Sequence, residues 1–319
     1  MSEPEIQPLA LPGVVVVLSW FGRRDTVECV RSLLREPIPA TVLVIDNGSY
    51  DGVLDEVSAL WPQVATLQTG ENLGYAGGMN RGIQWALDRG AEFVTVLNND
   101  TIIPVGVIER TQQLAVDRMA VSPQVYYRDE PQKIWFGAAA MEPALQVPVH
   151  VPAKHLTEPQ GGLRRSQLLA GCFITASAAV WREVGLFDER FFLNFEDSEW
   201  SVRARDRGVE LVVDCTVSIQ HAVSASFVGD AATLSSFYFI RNGLLFNRIM
   251  HGSWVSRIRF FRHRALIVVA ASVRAGEWRR AIRQAIVVCW AIGCNAVRRY
   301  GVAPRALQRI VAGWNKSTK

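Results

Sequence analysis

The first hundred residues alternate between short apolar runs and segments with helical spacing, and this alternation constrains the fold more than any other feature. Four runs rich in β-branched residues are predicted to be strands: Val14–Ser19, Thr41–Ile45, Val64–Gln68 and Phe93–Leu97. Three helices are predicted between them: Thr26–Arg35, which Pro37 ends, Leu54–Leu60 and Gly77–Arg89. Strict alternation predicts an α/β fold with a mostly parallel sheet covered by helices on both faces.

The carboxyl ends of parallel strands meet at one edge of a sheet, where open α/β sheets bind ligands. Four sites are therefore expected to converge there: Trp20, Asp46, Glu71-Asn72 and Asp100. Asp100 closes the tripeptide Asn98-Asn99-Asp100 after a strongly apolar strand, and its hard oxygens suit Mg²⁺ or Mn²⁺ beside a diphosphate. Asn and Asp after a strand are also common turn formers, so the tripeptide alone leaves both interpretations open.

Two of these strand ends have features that suit a nucleoside diphosphate. Asp46 either accepts a hydrogen bond from the imide N–H of uracil or thymine, or forms an Asx turn with Asn47 and the glycine after it. Asn72 opens a glycine-rich segment that runs into a helix and includes Gly74, Gly78 and Asn80. Its glycines let the backbone approach a diphosphate, and the helix N-terminus favours negative charge. The spacing matches neither a dinucleotide fingerprint nor a Walker A loop.

Two adjacent acids, Glu196 and Asp197, open a predicted helix that runs to about Arg207. Acids in a first turn complement the helix dipole, or one of them points into the crevice as a general base. Because adjacent helical residues are about 100° apart, both cannot face the same substrate atom. We therefore assign Asp197 as the general base and Glu196 as a supporting contact to the substrate that loses the proton, the acceptor.

Two further segments have more than one interpretation. Residues 142–166 are rich in Pro, Gly and polar groups without periodicity, and we interpret them as a long loop on the acceptor side. His221 follows a short predicted strand, Glu210–Val213, and an irregular stretch. It is either a metal ligand or a core histidine.

The net charge of +4 is divided unevenly along the chain. Residues 241–319 hold 16 lysines and arginines against the single acid Glu277, a charge of +15. Such asymmetry indicates contact with a polyanion, and no nucleic-acid-binding signature accompanies it, so an anionic membrane surface is favoured. The apolar runs Ala265–Ser272 and Ala285–Cys294 are shorter than the roughly 20 residues of a spanning helix. Packing on the α/β body or on a second subunit, in a homo-oligomer, is the alternative.

Composition and cysteine usage indicate the class and compartment. A hydrophobic content of 49% with 20% charged residues is typical of a globular protein. The five scattered cysteines form no C-x-x-C pair, which predicts neither a disulfide framework nor a zinc site. Residues 1–12 lack a basic n-region, so no secretory signal is expected. We expect a cytoplasmic protein.

The motifs also occur in a recognisable order. They are Ile45–Ser49, the loop from Asn72 to Gly82, Asn98–Asp100, Gly185–Glu189 with Glu196-Asp197, His221, and Tyr238 with Arg241-Asn242. This series strongly resembles the family 2 glycosyltransferases of GT-A fold, most of all the bacterial rhamnosyltransferase branch that builds cell-wall and surface polysaccharides. The resemblance covers roughly residues 13–250. Asn98 departs from it, because the family's D-x-D metal motif has an Asp there.

The resemblance implies a role for each candidate residue. It implies a donor site formed by Asp46, Asn47, Asn72, Gly74, Gly78, Asn80, Asn98, Asn99, Asp100 and Arg241. Asp100 and His221 would bind Mg²⁺ or Mn²⁺, Asp197 would be the inverting base and Glu196 would assist it. Arg241 either adds positive charge near the leaving group or braces the C-terminal region.

The resemblance further implies transfer of a sugar, L-rhamnose from dTDP-rhamnose, to a hydroxyl of a polysaccharide acceptor carried on a polyprenyl lipid. Donors such as UDP-galactofuranose or UDP-glucose, and hence a galactofuranosyl or hexosyl transferase, remain open. A non-catalytic nucleotide-sugar-binding protein is disfavoured, because Asp46, Asp100 and Asp197 are all present. Three regions are predicted: a tail at 1–12, a GT-A catalytic domain at 13–230, and a helical, basic region at 231–319 on the inner face of the plasma membrane.

Overall fold

The computed structural model describes residues 13–35, 40–223 and 230–316, with a ten-stranded sheet at its centre. The strands are β1 (Gly13–Ser19), β2 (Thr41–Asp46), β3 (Ala65–Gln68), β4 (Phe93–Asn98), β5 (Thr101–Ile102), β6 (Met119–Tyr127), β7 (Ile134–Phe136), β8 (Ala139–Glu142), β9 (Val147–His150), β10 (Leu163–Arg165), β11 (Phe173–Ser177) and β12 (Glu210–His221). The helices are α1 (Arg23–Leu33), α2 (Val53–Leu60), α3 (Gly74–Asp88), α4 (Val107–Leu114), α5 (Ala178–Val184), α6 (Glu196–Asp206), α7 (Asp230–Ile249), α8 (Trp254–Phe261), α9 (Ile267–Arg274), α10 (Trp278–Ala296) and α11 (Arg305–Lys316). A 3₁₀ turn lies at Ala153–His155 and a π-helical turn at Arg262–Leu266.

The strand order is β10-β12-β6-β11-β4-β1-β2-β3, with β5 paired to β12 and β7 paired to β6. Strands β3, β2, β1 and β4 are parallel, as are β6 and β12, and the antiparallel β11 joins the two groups. Strands β8 and β9 form a separate hairpin. The expected α/β fold with a mostly parallel central sheet is confirmed.

Strand β1 lies between β2 and β4 and is buried over its whole length, as its unbroken valine run predicts for a strand covered on both faces. Helix α3 approaches it closely at Gly82. A Cβ there would lie 2.2 Å from Cγ1 of Val16, so only glycine allows this approach. This packing fixes the glycine-rich N-terminus of α3 beside the carboxyl ends of β1 and β2.

Two predictions for the second half of the chain are wrong. Strand β12 does not end at Val213 but continues to His221 through a bulge between Asp214 and Ser218. The bulge forms where the buried Asp214 carboxylate accepts hydrogen bonds from the backbone and hydroxyl of Thr216. The predicted loop 142–166 instead contains β9, a 3₁₀ turn and β10, which pairs with β12. Strand β10 is stabilised by β12, a partner about 50 residues away that local composition does not reveal, whereas β9 pairs with the neighbouring β8.

The C-terminal helices pack against the α/β body. Buried residues of α7, α10 and α11 form one cluster with Phe192, which precedes α6; they include Phe237, Tyr238, Val287 and Leu307. In residues 13–35, 40–223 and 230–316, no helix is long and apolar enough to cross a membrane. The predicted division at residue 230 stays a prediction, and the predicted tail 1–12 lies outside the described residues.

Candidate active site

A cavity of about 600 Å³ opens at the carboxyl ends of β1 and β4. It is called the catalytic cavity below. Among its lining residues are Trp20, Asn47, Asn72, Gly74, Asn98, Asn99, Asp100, Glu196, Asp197 and His221. The structure therefore brings most of the predicted site residues together; Asp46, Gly78, Asn80 and Arg241 do not line this cavity.

Asp100 and His221 meet through strand pairing. Asp100 follows β4, and the next residue, Thr101, pairs with His221 where β5 meets β12. Both side chains are buried, and Oδ1 of Asp100 lies 3.0 Å from Nε2 of His221. Nε2 is also 3.2 Å from the side-chain nitrogen of Asn98, which donates to it when Nε2 is unprotonated. The Asp100 oxygen and the His221 nitrogen thus face the same point, where a cation would take the lone pair of Nε2 in place of the Asn98 hydrogen bond.

These two residues fit a divalent cation. Oδ1 of Asp100 makes no hydrogen bond to any described group, which is costly for a buried oxygen. Two ligands at right angles on an ion with bonds of about 2.0–2.1 Å lie about 2.9 Å apart, close to the Oδ1–Nε2 distance. The described residues hold no cluster of three or more His, Cys, Asp and Glu side chains that suits a metal. Substrate phosphates and water would complete the shell, as is usual for Mg²⁺.

Glu196 and Asp197 lie in the first turn of α6 and line the same cavity. The Asp197 carboxylate is half-buried and accepts hydrogen bonds from the backbone N–H groups of Gly171, at 2.8 Å, and Ser198, at 2.6 Å. Glu196 is buried, and its Oε2 has no hydrogen-bond partner among the described residues. Burial, and then the charge of Asp197, raise the pKa of Glu196 well above its usual value. The two acids therefore differ: Asp197 is oriented by donors, and Glu196 favours its neutral form.

The loop before α6 is strained. Phe192, Asn194 and Phe195 have φ values of 61°, 68° and 77°, in the left-handed region that costs energy for residues other than glycine. The side-chain nitrogen of Asn242 donates to the carbonyls of Leu193, at 2.7 Å, and Asn194, at 3.3 Å. Helix α7 thus holds in place the loop that aims Glu196 and Asp197.

Arg241 lies next to Asn242 on α7 and does not line the catalytic cavity. It is fully buried, and it donates to the Asn242 side chain at 2.9 Å and to the Gly301 carbonyl at 2.7 Å. Burial lowers the pKa of Arg241 to about 10. Of the two interpretations of Arg241, these contacts match the structural one, in which Arg241 connects α7 to the segment before α11.

Asp46 is buried in its own turn. Its two oxygens accept four hydrogen bonds: from the N–H and hydroxyl of Ser49, from the N–H of Tyr50 and from the side-chain amide of Gln68. Burial opposes ionisation, but these hydrogen bonds outweigh it and lower the pKa of Asp46. A carboxylate has about four acceptor positions, so a nucleotide base has to displace one donor to reach Asp46.

Asn47 fixes the glycine-rich loop. Its Oδ1 accepts from the N–H of Leu73 at 3.0 Å, and its Nδ2 donates to the Gly74 carbonyl at 2.9 Å. Gly74 has a φ of 75°, and a Cβ there would lie 2.3 Å from the carbonyl oxygen of Phe192. Glycine is therefore required where the first turn of α3 meets the strained loop before α6.

Gly78 and Asn80, both on α3, serve packing. A Cβ at Gly78 would lie 2.6 Å from Cδ1 of Leu18 on β1. The Asn80 side chain exchanges two hydrogen bonds of 2.9 Å with the backbone of Phe187. Asn80 thus secures the α5–α6 connection to α3, and a contact with the donor remains a prediction for both residues.

Sequence reasoning missed several lining residues, among them Tyr75, Trp135, His150 and Gln308. The ring of Trp135 lies 4.6 Å from that of His221 and 4.8 Å from that of His150. These residues come from α3, β7, β9 and α11, and no local pattern marks them. The pairing of β7 with β6 brings Trp135 to the cavity, and the docking of α11 brings Gln308.

Comparison with known proteins defines the class. The sequence profile described as "Glycosyl transferase family 2" matches residues 15–183, more than half of the chain. The chain therefore belongs to glycosyltransferase family 2. Two solved structures share its fold. GalNAc-T7 has a TM-score of 0.58 at 16% identity, and the match covers 80% of this chain and 55% of GalNAc-T7. The mannosyltransferase PcManGT of Pyrobaculum calidifontis has a TM-score of 0.54 at 14% identity, and the match covers 89% of this chain and 87% of PcManGT. Both were crystallised with Mn²⁺, and this chain spans about half the length of GalNAc-T7.

Two relatives of the chain are named as rhamnosyltransferases. The N-acetylglucosaminyl-diphospho-decaprenol L-rhamnosyltransferase of Mycobacterium tuberculosis is 27% identical over 269 residues, 76% of this chain and 86% of the relative. The dTDP-rhamnosyl transferase RfbF of Shigella flexneri is 24% identical over 226 residues, 68% of this chain and 74% of the relative. The resemblance to rhamnosyltransferases of family 2 is confirmed.

Proposed function

We propose that this protein is an inverting, metal-dependent rhamnosyltransferase that uses dTDP-rhamnose and a lipid-linked saccharide acceptor of cell-wall or surface-polysaccharide synthesis. One observation carries the proposal: a single cavity holds a cation-suited pair, Asp100 and His221, and two carboxyl groups of different character, Glu196 and Asp197. The two rhamnosyltransferase relatives support the donor, and the name of the mycobacterial one, which includes a diphospho-decaprenol, supports a lipid diphosphate acceptor.

On the donor side, the diphosphate lies at the N-terminus of α3, where the backbone around Gly74 approaches it and the helix dipole favours its charge. The thymine imide replaces the Gln68 amide as a donor to Asp46. A divalent cation held by Asp100 and His221 would neutralise charge on the departing diphosphate. Asn47 and Asn72 keep the loop in the geometry that accepts the donor.

On the acceptor side, Asp197 takes the proton of the acceptor hydroxyl as the oxygen attacks the anomeric carbon. The bond between that carbon and the diphosphate oxygen breaks, and dTDP leaves from the opposite face, which inverts the configuration. Neutral Glu196 donates a hydrogen bond to the acceptor. A lipid-linked acceptor would place the reaction at the inner face of the plasma membrane, with the basic C-terminal helices against anionic lipid.

Calorimetric titration of the purified protein with dTDP and with UDP, each with and without Mn²⁺, tests the donor. We expect micromolar binding that requires Mn²⁺ and favours dTDP. Preference for UDP would replace rhamnose by a hexosyl or galactofuranosyl donor. Absence of binding to either nucleotide with Mn²⁺ present would overturn the transferase proposal.

A further inference from the structure

A second and larger cavity, of about 1020 Å³, lies among α7, the π-helical turn, α9 and α10. We call it the arginine cavity, because its lining includes Arg264, Arg279, Arg280 and Arg283. Its floor is apolar and includes the buried residues Ile240, Ala265 and Val287. A volume of this size is typical of a ligand pocket, and the combination of cationic rim and apolar floor suits an anionic amphiphile.

The positive charge of this cavity is largely uncompensated. Among the described residues, only Arg280 of the four arginines has a carboxylate partner, Glu277 at 2.9 Å. The guanidinium of Arg264 lies over the Phe239 ring at 5.4 Å, and that of Arg283 lies over the Trp314 ring at 5.5 Å. These stacking contacts hold the groups in place without neutralising them. Phosphate oxygens are the natural partners of such guanidinium groups.

The helix geometry concentrates this charge. Arg279 and Arg280 lie in the first turn of α10, where the helix dipole adds positive potential. Arg283 is four residues after Arg279 and therefore lies on the same face, about 6 Å along the axis.

Exposed apolar side chains adjoin the arginines in sequence. Leu266 and Ile267 follow the π-helical turn and are 47% and 46% exposed, and Trp278 and Ile282 on α10 are 62% and 59% exposed. Each lies within four residues of a lining arginine. Side chains of this kind cost free energy in water and gain it against a hydrocarbon chain.

The arginine cavity adjoins the catalytic cavity through α7. Ser235 lines both, with Tyr238 on the catalytic side and Phe239 on the arginine side. The two cavities thus share a lining residue of α7, and a ligand in the arginine cavity lies beside the helix that also borders the catalytic cavity.

We propose that the arginine cavity binds the diphosphate and the adjoining hydrocarbon chain of the acceptor lipid, and that this presents the acceptor sugar to Asp197. This inference rests on the proposed function, from which it takes the transfer of a sugar to a lipid-linked acceptor. It adds a site for the lipid diphosphate, which commits the acceptor to a phosphate-bearing lipid.

The test uses farnesyl diphosphate as a probe of this chemistry and the full chain as the protein. The double variant Arg279→Ala/Arg280→Ala removes two exposed guanidinium groups and one exposed ion pair, so the fold should be retained. The matched control, Arg259→Ala/Arg274→Ala, removes two exposed arginines of the same region that line neither cavity. Loss of charge-assisted hydrogen bonds to phosphate is expected to weaken farnesyl diphosphate binding about tenfold or more in the first variant. The control should stay within about twofold of the wild type.

Further titrations separate the possible sources of binding. Farnesol and inorganic diphosphate should each bind more weakly than farnesyl diphosphate, because each lacks half of the recognised chemistry. Equal loss in both double variants would overturn the proposal. Unchanged farnesyl diphosphate binding in Arg279→Ala/Arg280→Ala, with reduced pelleting on phosphatidylglycerol vesicles, would also overturn it and make the cavity a membrane-surface site.

Titration of dTDP with Mn²⁺ on the same proteins distinguishes the two proposals. If the wild type binds dTDP but not farnesyl diphosphate, the inference about the lipid fails alone. If it binds farnesyl diphosphate in the expected pattern but no nucleotide, the proposed function fails and the anionic amphiphile site stands.

Discussion

Replacing His221 with alanine tests whether Asp100 and His221 hold one cation together. The two atoms proposed as ligands are 3.0 Å apart, and the described residues offer no third His, Cys, Asp or Glu to compensate for a lost ligand. Loss of a group that only supports a metal ligand weakens affinity about 10–100-fold, or about 1.4–2.7 kcal/mol. Since His221 would be a direct ligand, we expect a loss at the upper end, about 100-fold for Mn²⁺.

The assay is calorimetric titration of Mn²⁺ into protein saturated with dTDP. His155→Ala, which removes an exposed histidine outside the catalytic cavity, is the matched control and should change the affinity little. Thermal denaturation without Mn²⁺ measures separately the lost packing of His221 on Trp135.

Asp100→Asn completes a double-mutant cycle. It keeps the shape of the side chain and removes the charge, so its effect on Mn²⁺ affinity should exceed that of His221→Ala. Because both residues would bind the same ion, the two losses should not add in the double variant. Mn²⁺ affinity within twofold of the wild type in His221→Ala, or strictly additive losses, would refute a shared cation.

Three further predictions concern the acids and the glycine-rich loop. Asp197→Asn should lower kcat about 10²–10⁴-fold and leave dTDP affinity unchanged, because only the proton acceptor is lost; near-normal turnover would remove Asp197 as the base. Because burial raises the pKa of Glu196 in the folded protein, the free energy of unfolding should fall as the pH rises from about 4.5 through the folded-state pKa. Glu196→Gln should flatten this pH dependence, measured by thermal melting. An equal pH dependence in the wild type and the variant would contradict the raised pKa of Glu196. Gly74→Ala should lower the free energy of unfolding by more than Gly70→Ala, in denaturant titrations. Both substitutions cost about 1–2 kcal/mol because alanine is disfavoured in the left-handed region, but only a Cβ at position 74 meets a backbone atom. Equal losses of stability would show that the clash with Phe192 is relieved.

The local elements of the α/β half follow from the sequence. The valine run of β1 and the alternation through β4 are determined by residues close together in the chain, because burial of both faces of a strand requires continuous apolar side chains. The same reasoning placed Asp100 and Asn72 at strand ends, and the structure brings both to the catalytic cavity. Glu196 and Asp197 were also recognisable, since acids at a helix start have a local signature.

Other features depended on contacts between distant segments. His221 reaches Asn98, 123 residues away in the chain, because β12 continues past its bulge to pair with β5 and β6. Gln68 donates a hydrogen bond to Asp46, and the Gly301 carbonyl accepts one from the buried Arg241. Both partners are supplied by the packing of separate segments. A sequence specifies which groups are able to ligate, donate or ionise. Tertiary structure decides which of them are desolvated, paired or left free, because those outcomes depend on neighbours brought together by the packing of the whole fold.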